Sequence, residues 1–122
     1  MPIRYRIDSG VVVLEVAREG FAMLRDALDA VAADSRARPK MPVLLDVRNE
    51  PAGVHHNDVR WRVLILSQMR QQFGPRWAIL TGTGPVPVGL GRMFAVFSEI
   101  EGLEVGMFAD EDAALTWLRE QP

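Results

Sequence analysis

The sequence predicts an α/β fold: a mostly parallel five-stranded sheet with an antiparallel N-terminal edge strand and four helices, in the order ββαβαβαβα. Three observations carry this. Residues 3–16 hold two runs of strand character around a turn. After them, stretches of helical period alternate with short apolar runs. Gly or Pro marks the change from helix to strand at Pro39, Gly74-Pro75 and Gly102. Alternation of this kind implies right-handed crossovers between parallel strands.

"IRYRID" alternates strictly, with Ile3, Tyr5 and Ile7 on one side and Arg4, Arg6 and Asp8 on the other. That is a half-exposed strand suited to a sheet edge. "DSG" at 8–10 is a turn, and "VVVLEV" follows as a mostly buried strand, so the two form a hairpin. From Phe21 the period changes. Phe21, Leu24, Leu28 and Val31 mark one helical face, with Arg25, Asp26, Asp29 and Asp34 outside it, and Pro39 ends the helix at the latest. "PVLLDV" is a continuous apolar strand of the kind covered on both faces. The second helix starts near Asn57 or Asp58, either of which can cap it. It carries Val59, Val63, Leu66, Met69 and Phe73 and stops at Gly74-Pro75. "RWAIL" is a strand and "TGTGPVP" a loop. The third helix holds Leu90, Met93, Phe94, Phe97 and Ile100 on one face. "LEVGMF" is the last strand. Asp110 caps the last helix, Glu111 and Asp112 suit its positive end, and Ala114, Leu115 and Leu118 face inward.

At 122 residues the chain is expected to form a single domain, 1–122, able to bury a core without staples. It has no Cys, so disulfides, thiolate metal sites and a Cys nucleophile are excluded. Net charge is −2 with acids and bases interspersed, and the basic residues are 13 Arg and Lys40. That is not the basic face of a nucleic-acid binder. No stretch has the order of a signal peptide, and no apolar run reaches the length of a transmembrane segment. A cytoplasmic location is expected.

"GRMFAVFSEIEGLEVGMFADEDAALTWL" resembles the C-terminal half of a STAS domain, the fold of the anti-sigma factor antagonists of sporulation. The matching features are Gly102-Leu103, Val105, Phe108, Ala114-Leu115 and Leu118. With "PVLLDVR", "WAIL" and "GRMF", nearly the whole chain is similar to the narrower SpoIIAA-like family. Each motif alone also reads as core patterning; their order and spacing carry the resemblance. It implies a non-catalytic module whose fold is similar to that of the CRAL-TRIO lipid-binding domains.

The resemblance also implies where a switch belongs. The antagonists carry a phosphorylatable Ser at the start of the second helix. Here that region reads His55, His56, Asn57, Asp58, with no hydroxyl. Phosphate is favoured at a helix N-terminus, but nothing here can carry it as an ester. Asp58 is either a permanent mimic of that charge or, more commonly, a cap.

The remaining motifs are weaker. Adjacent histidines in an extended chain point apart, so His55 and His56 do not readily share a metal, and no metal site or cofactor is expected. Asp46 and Arg48 lie two apart at the carboxyl end of a strand, where α/β folds place ligands. An ion pair or a loop hydrogen bond is the commoner use of such a pair. No Ser-His arrangement or G-x-S-x-G supports catalysis, so no catalytic residues are assigned. "TGTGPVPVGLG" resembles a phosphate cradle, but Pro85 and Pro87 remove two N–H groups and no Lys follows. Pro87 instead suits the first turn of a helix.

The second and third helices are apolar over much of their circumference, which asks for a cover beyond one sheet face. Core packing or a homodimer interface is the plain explanation. The sharper one is a cleft between the two helices lined by Trp61, Ile65, Met69, Met93, Phe94 and Phe97, taking an apolar or amphiphilic ligand, a lipid or a peripheral membrane surface. A regulatory protein partner is the alternative occupant.

Overall fold

A computed structural model describes residues 3–16, 24–48, 56–81 and 85–120. The strands are β1 (Ile3–Asp8), β2 (Val11–Val16), β3 (Met41–Asp46), β4 (Phe73–Leu80) and β5 (Glu104–Phe108). The helices are α1 (Leu24–Ala32), α2 (His56–Gln68), α3 (Pro85–Ile100) and α4 (Glu111–Arg119). The expected order of elements is the observed one.

The strands lie side by side in chain order, β1-β2-β3-β4-β5. β1 is antiparallel to β2, and the remaining pairs are parallel. The hairpin turn is made by Ser9 and Gly10, both with positive φ, which matches the right-handed twist of the flanking strands.

Alternation along each strand creates two cores. Val12, Leu14, Val43, Leu45, Trp77 and Ile79 pack under the first three helices, which contribute Leu24, Leu28, Val59, Val63, Leu66 and Phe94. Val11, Val13, Leu44, Ala78 and Leu80 face the other way, under Ala114, Leu115 and Leu118 of α4. Three helices thus share one face, and α4 alone covers the second.

The end of α2 departs from expectation. Phe73 is not helical, and Gly74-Pro75 is not the stop. α2 ends at Gln68, a turn follows, and Phe73, Gly74 and Pro75 open β4. The turn closes through Gln72 and Phe73 N–H groups on the Met69 carbonyl, at 3.0 Å each. Phe73 stays inside because it pairs with Met41, and the ladder shifts register between Met41 and Val43. A register irregularity is where a strand tolerates Pro. Met69 and Phe73 are four apart, so helical spacing in the sequence runs unbroken through a turn.

Two other expectations are corrected. α2 begins at His56, so Asn57 and Asp58 lie in its first turn rather than at its cap. Ile100 is not on the inner face of α3: it is 73% exposed at the helix end, and fully buried Ser98 takes an inner position instead. Phe21 lies outside the described residues. Pro85 and Pro87 both fall in the first turn of α3, where missing N–H groups cost no helical bond. Asp110 caps α4 by accepting from the Ala113 N–H at 3.1 Å.

Candidate functional site

The carboxyl edge of the sheet carries the most organised polar group. Leu44 and Asp46 share a side of β3, so Asp46 reaches the α4 face at the strand end. Asp46 is 7% exposed. Val47 donates to the Leu80 carbonyl at 2.9 Å, which keeps the chain against β4 for one more residue. Arg48 is thereby on the Asp46 side. Its Nε donates to Asp46 Oδ1 at 3.0 Å, its Nη2 to Oδ2 at 2.8 Å, and its backbone N–H to Oδ1 at 3.1 Å. Burial pushes the Asp46 carboxyl up. The hydrogen bonds and charge of Arg48, with help from Arg6, outweigh burial and hold it below its ordinary value. Both oxygens are engaged, so Asp46 is not a free base.

Around this pair lies a second layer of charge. Arg6 donates to Glu15 at 3.2 Å and reaches Glu111 at the start of α4 at 3.5 Å. These contacts tie β1, β2 and α4 together. Arg6, Glu15 and Glu111 were not singled out from the sequence. The signal was present: "IRYRID" and the two-residue turn set Arg6 opposite Val13, one diagonal step from Glu15.

The same D-x-R unit occurs twice. Asp34 accepts from the Arg36 backbone N–H at 2.9 Å, Nε at 3.0 Å and Nη2 at 2.9 Å, and from the Tyr5 hydroxyl at 3.0 Å. The side-chain and backbone bonds from Arg36, then the Tyr5 bond, hold Asp34 far below the usual carboxylate range. Here the unit closes the turn after α1.

The backbone of His56, Asn57 and Asp58 opens α2; their side chains and His55 lie outside the described residues. Among the described residues no group of three or more His, Cys, Asp or Glu is placed to hold a metal. The cradle-like residues 82–84 also lie outside the described residues.

The six apolar cleft residues differ in burial. Met69 and Phe94, at 3% and 4% exposure, belong to the core. Met93, Phe97 and Ile65 are half-buried against it. Trp61 is 67% exposed. Two contacts define the sides of α2. Ser67 donates to Glu101 at 3.4 Å, just past α3, and Gln68 accepts from Arg25 of α1 at 2.8 Å. Trp61 and Ile65 fall seven and three residues before Gln68, on its stripe. Trp61 and Ile65 thus lie toward the side of α2 that carries the Arg25 contact, while Ile65, Met93 and Phe97 all pack against the same core. Val96, 56% exposed, joins Trp61 and Ile100 as the exposed large apolar side chains among the described residues.

This architecture is a SpoIIAA-like α/β fold. Solved structures that share it include the following two. One is an uncharacterised protein of the DUF3478 family with a SpoIIAA-like fold from Shewanella loihica PV-4: TM-score 0.62 over 95% of this chain and 91% of that one, at 20% identity. The other is an anti-sigma factor antagonist from Mycobacterium paratuberculosis: TM-score 0.61 over 97% of this chain and 93% of that one, at 18% identity. At these identities the likeness is one of fold. No family model matches the sequence, and no curated protein matches it. Among the described residues no helix is long and apolar enough to cross a membrane.

Proposed function

We propose that this chain acts as a single, non-catalytic, cytoplasmic docking module that binds a regulatory protein partner through the outer face of α2. The observation that carries the reading is Trp61. It stands 67% exposed on a helix whose inner residues are fully packed. Trp is the side chain most enriched at the energetic centres of protein interfaces. Its position adds support, since it follows the first turn of α2, where the resemblance puts the switch of the antagonists. One fold neighbour is by name an anti-sigma factor antagonist, so that protein acts on a protein. With no hydroxyl in residues 52–62, docking here is independent of Ser, Thr or Tyr phosphorylation at that helix start. The engaged state of Asp46 supports a module without acid-base chemistry.

A second reading rests on a different observation. Val96 and Ile100 are exposed four apart on α3, beside exposed Arg92. Apolar residues flanked by Arg suit an amphiphilic ligand or the surface of an anionic membrane.

Native mass spectrometry of the protein purified from its own cells separates the two. A co-purifying protein at fixed stoichiometry, lost in Trp61→Ala while the melting temperature holds, is the expected result. A retained lipid-sized mass, lost on Val96→Ser and Ile100→Ser but not on Trp61→Ala, would replace this reading with the second.

A further inference from the structure

The two edges of the sheet are built differently. β1 presents Arg4, Arg6 and Asp8 in alternation, and charge along an edge discourages pairing with another chain. β5 reads Glu-Val-Gly-Met-Phe, with no charge after its first residue. Among the described residues, no strand pairs with β5 on the side away from β4.

One hydrogen bond settles which groups are open. The Thr81 N–H donates to the Phe108 carbonyl at 2.9 Å, and Leu80 is the register partner of Phe108. The Phe108 N–H and C=O therefore point toward β4. Alternate residues of a strand point the same way, so Glu104 and Gly106 also face β4, while Val105 and Met107 face outward. The preceding outward N–H, that of Leu103, is already given to the Ser98 carbonyl at 2.9 Å.

We propose that β5 pairs antiparallel with β5 of a second copy of this chain, about a two-fold axis through Gly106. In that register Val105 lies opposite the second copy's Met107, and Met107 opposite its Val105. Both are hydrogen-bonded pairs, so every outward N–H and C=O of the two residues is met. Gly106 lies opposite its own image in a non-hydrogen-bonded pair, where Cα atoms approach to about 4.5 Å and side chains crowd most.

The strand suits a copy of itself better than an arbitrary peptide. A residue on the axis must tolerate its own side chain, and glycine has none. The space a side chain would fill is taken: a Cβ on Gly106 would lie 2.8 Å from Phe108 Cε2 and 3.2 Å from Trp117 Cη2. The Phe108 and Trp117 rings, 5.5 Å apart, thus flank the axis on the α4 face. On the other face Val105 and Met107 are half-buried against the core and meet their images as an apolar strip. Glu104 is already paired with Arg76 at 3.3 Å, so its charge is compensated within its own chain. The interface is isologous and closed by two-fold symmetry. It uses neither Trp61 nor α2, so it stands or falls apart from the docking reading above.

Sedimentation equilibrium on the full chain, with Met107→Pro alongside, tests it. Among the described residues the Met107 N–H has no strand partner, and Pro is tolerated where an N–H faces an open edge. The wild type should reach twice its 13.6 kDa chain mass as concentration rises, while Met107→Pro stays at one chain mass with its circular dichroism retained. A wild type that remains at one chain mass up to millimolar concentration would overturn the proposal. So would a folded Met107→Pro that still dimerises. If that variant does not fold, amide exchange of the wild type across a dilution series decides. Val105 and Met107 amides protected only at high concentration support the pairing, and amides that exchange equally at all concentrations refute it.

Discussion

Arg48 holds Asp46 by three donors, two from its guanidinium and one from its own backbone, at 2.8 to 3.1 Å. Arg36 holds Asp34 in the same way. Both carboxyls are kept below their ordinary values in the folded chain. Unfolded Asp titrates near about 3.9. Above that value both states are ionised and the full stabilisation is present. As pH falls below it, the unfolded chain takes up protons that the native chain refuses, and stability drops. Urea midpoints should therefore decline from about pH 5 downward. Arg48→Met should cost about 1–2 kcal/mol at neutral pH, discounted because Arg48 is half exposed, and should flatten part of the acid slope. An unchanged slope would mean the pair is not held in solution.

Trp61 and Phe94 should part company on truncation. Phe94 is core, so Phe94→Ala should cost about 3–5 kcal/mol. Trp61→Ala should change stability by no more than about 0.5 kcal/mol. Urea unfolding of the two variants checks this. A large loss at Trp61 would place it in a packed surface and remove the basis for its docking role.

Gly106→Ala should destabilise by about 1–3 kcal/mol, since the new methyl collides with the Phe108 ring. In a Phe108→Ala background the same change should cost far less. Equal costs in both backgrounds would point to the backbone rather than the ring.

Ser98 is fully buried, and its hydroxyl has no hydrogen-bond partner among the described residues. Ser98→Ala should leave stability unchanged or raise it by up to about 1 kcal/mol, because an unmet polar group is removed. Thermal and urea unfolding that showed a loss beyond about 1 kcal/mol would reveal a partner for the hydroxyl.

Much of the fold was legible because short-range rules dominate it. The strict alternation of Ile3 to Asp8, the Ser9-Gly10 turn and the Asp110 cap each act within a few residues. The failures came where the sequence signal had two equally good causes. Helical spacing from Met69 to Phe73 is also the spacing of a one-turn exit, and only pairing with Met41 decides between them. Ile100 fits the α3 stripe but falls at the helix end. The D-x-R contact at Asp46 was foreseeable from spacing, whereas the bridge from Arg6 to Glu111 joins residues 105 apart and needs the folded sheet.

The unbroken strand order has a consequence for synthesis. Each strand docks beside the one made just before it, so no gap must be held open for a later segment. The sheet can grow from one edge to the other as the chain leaves the ribosome. The exception is the second core. Val11, Val13, Leu44, Ala78 and Leu80 stay uncovered until α4, the last helix, has been made. A nascent chain halted before Asp110 should therefore be sticky and protease-sensitive, and synthesis through α4 should convert it to a resistant form.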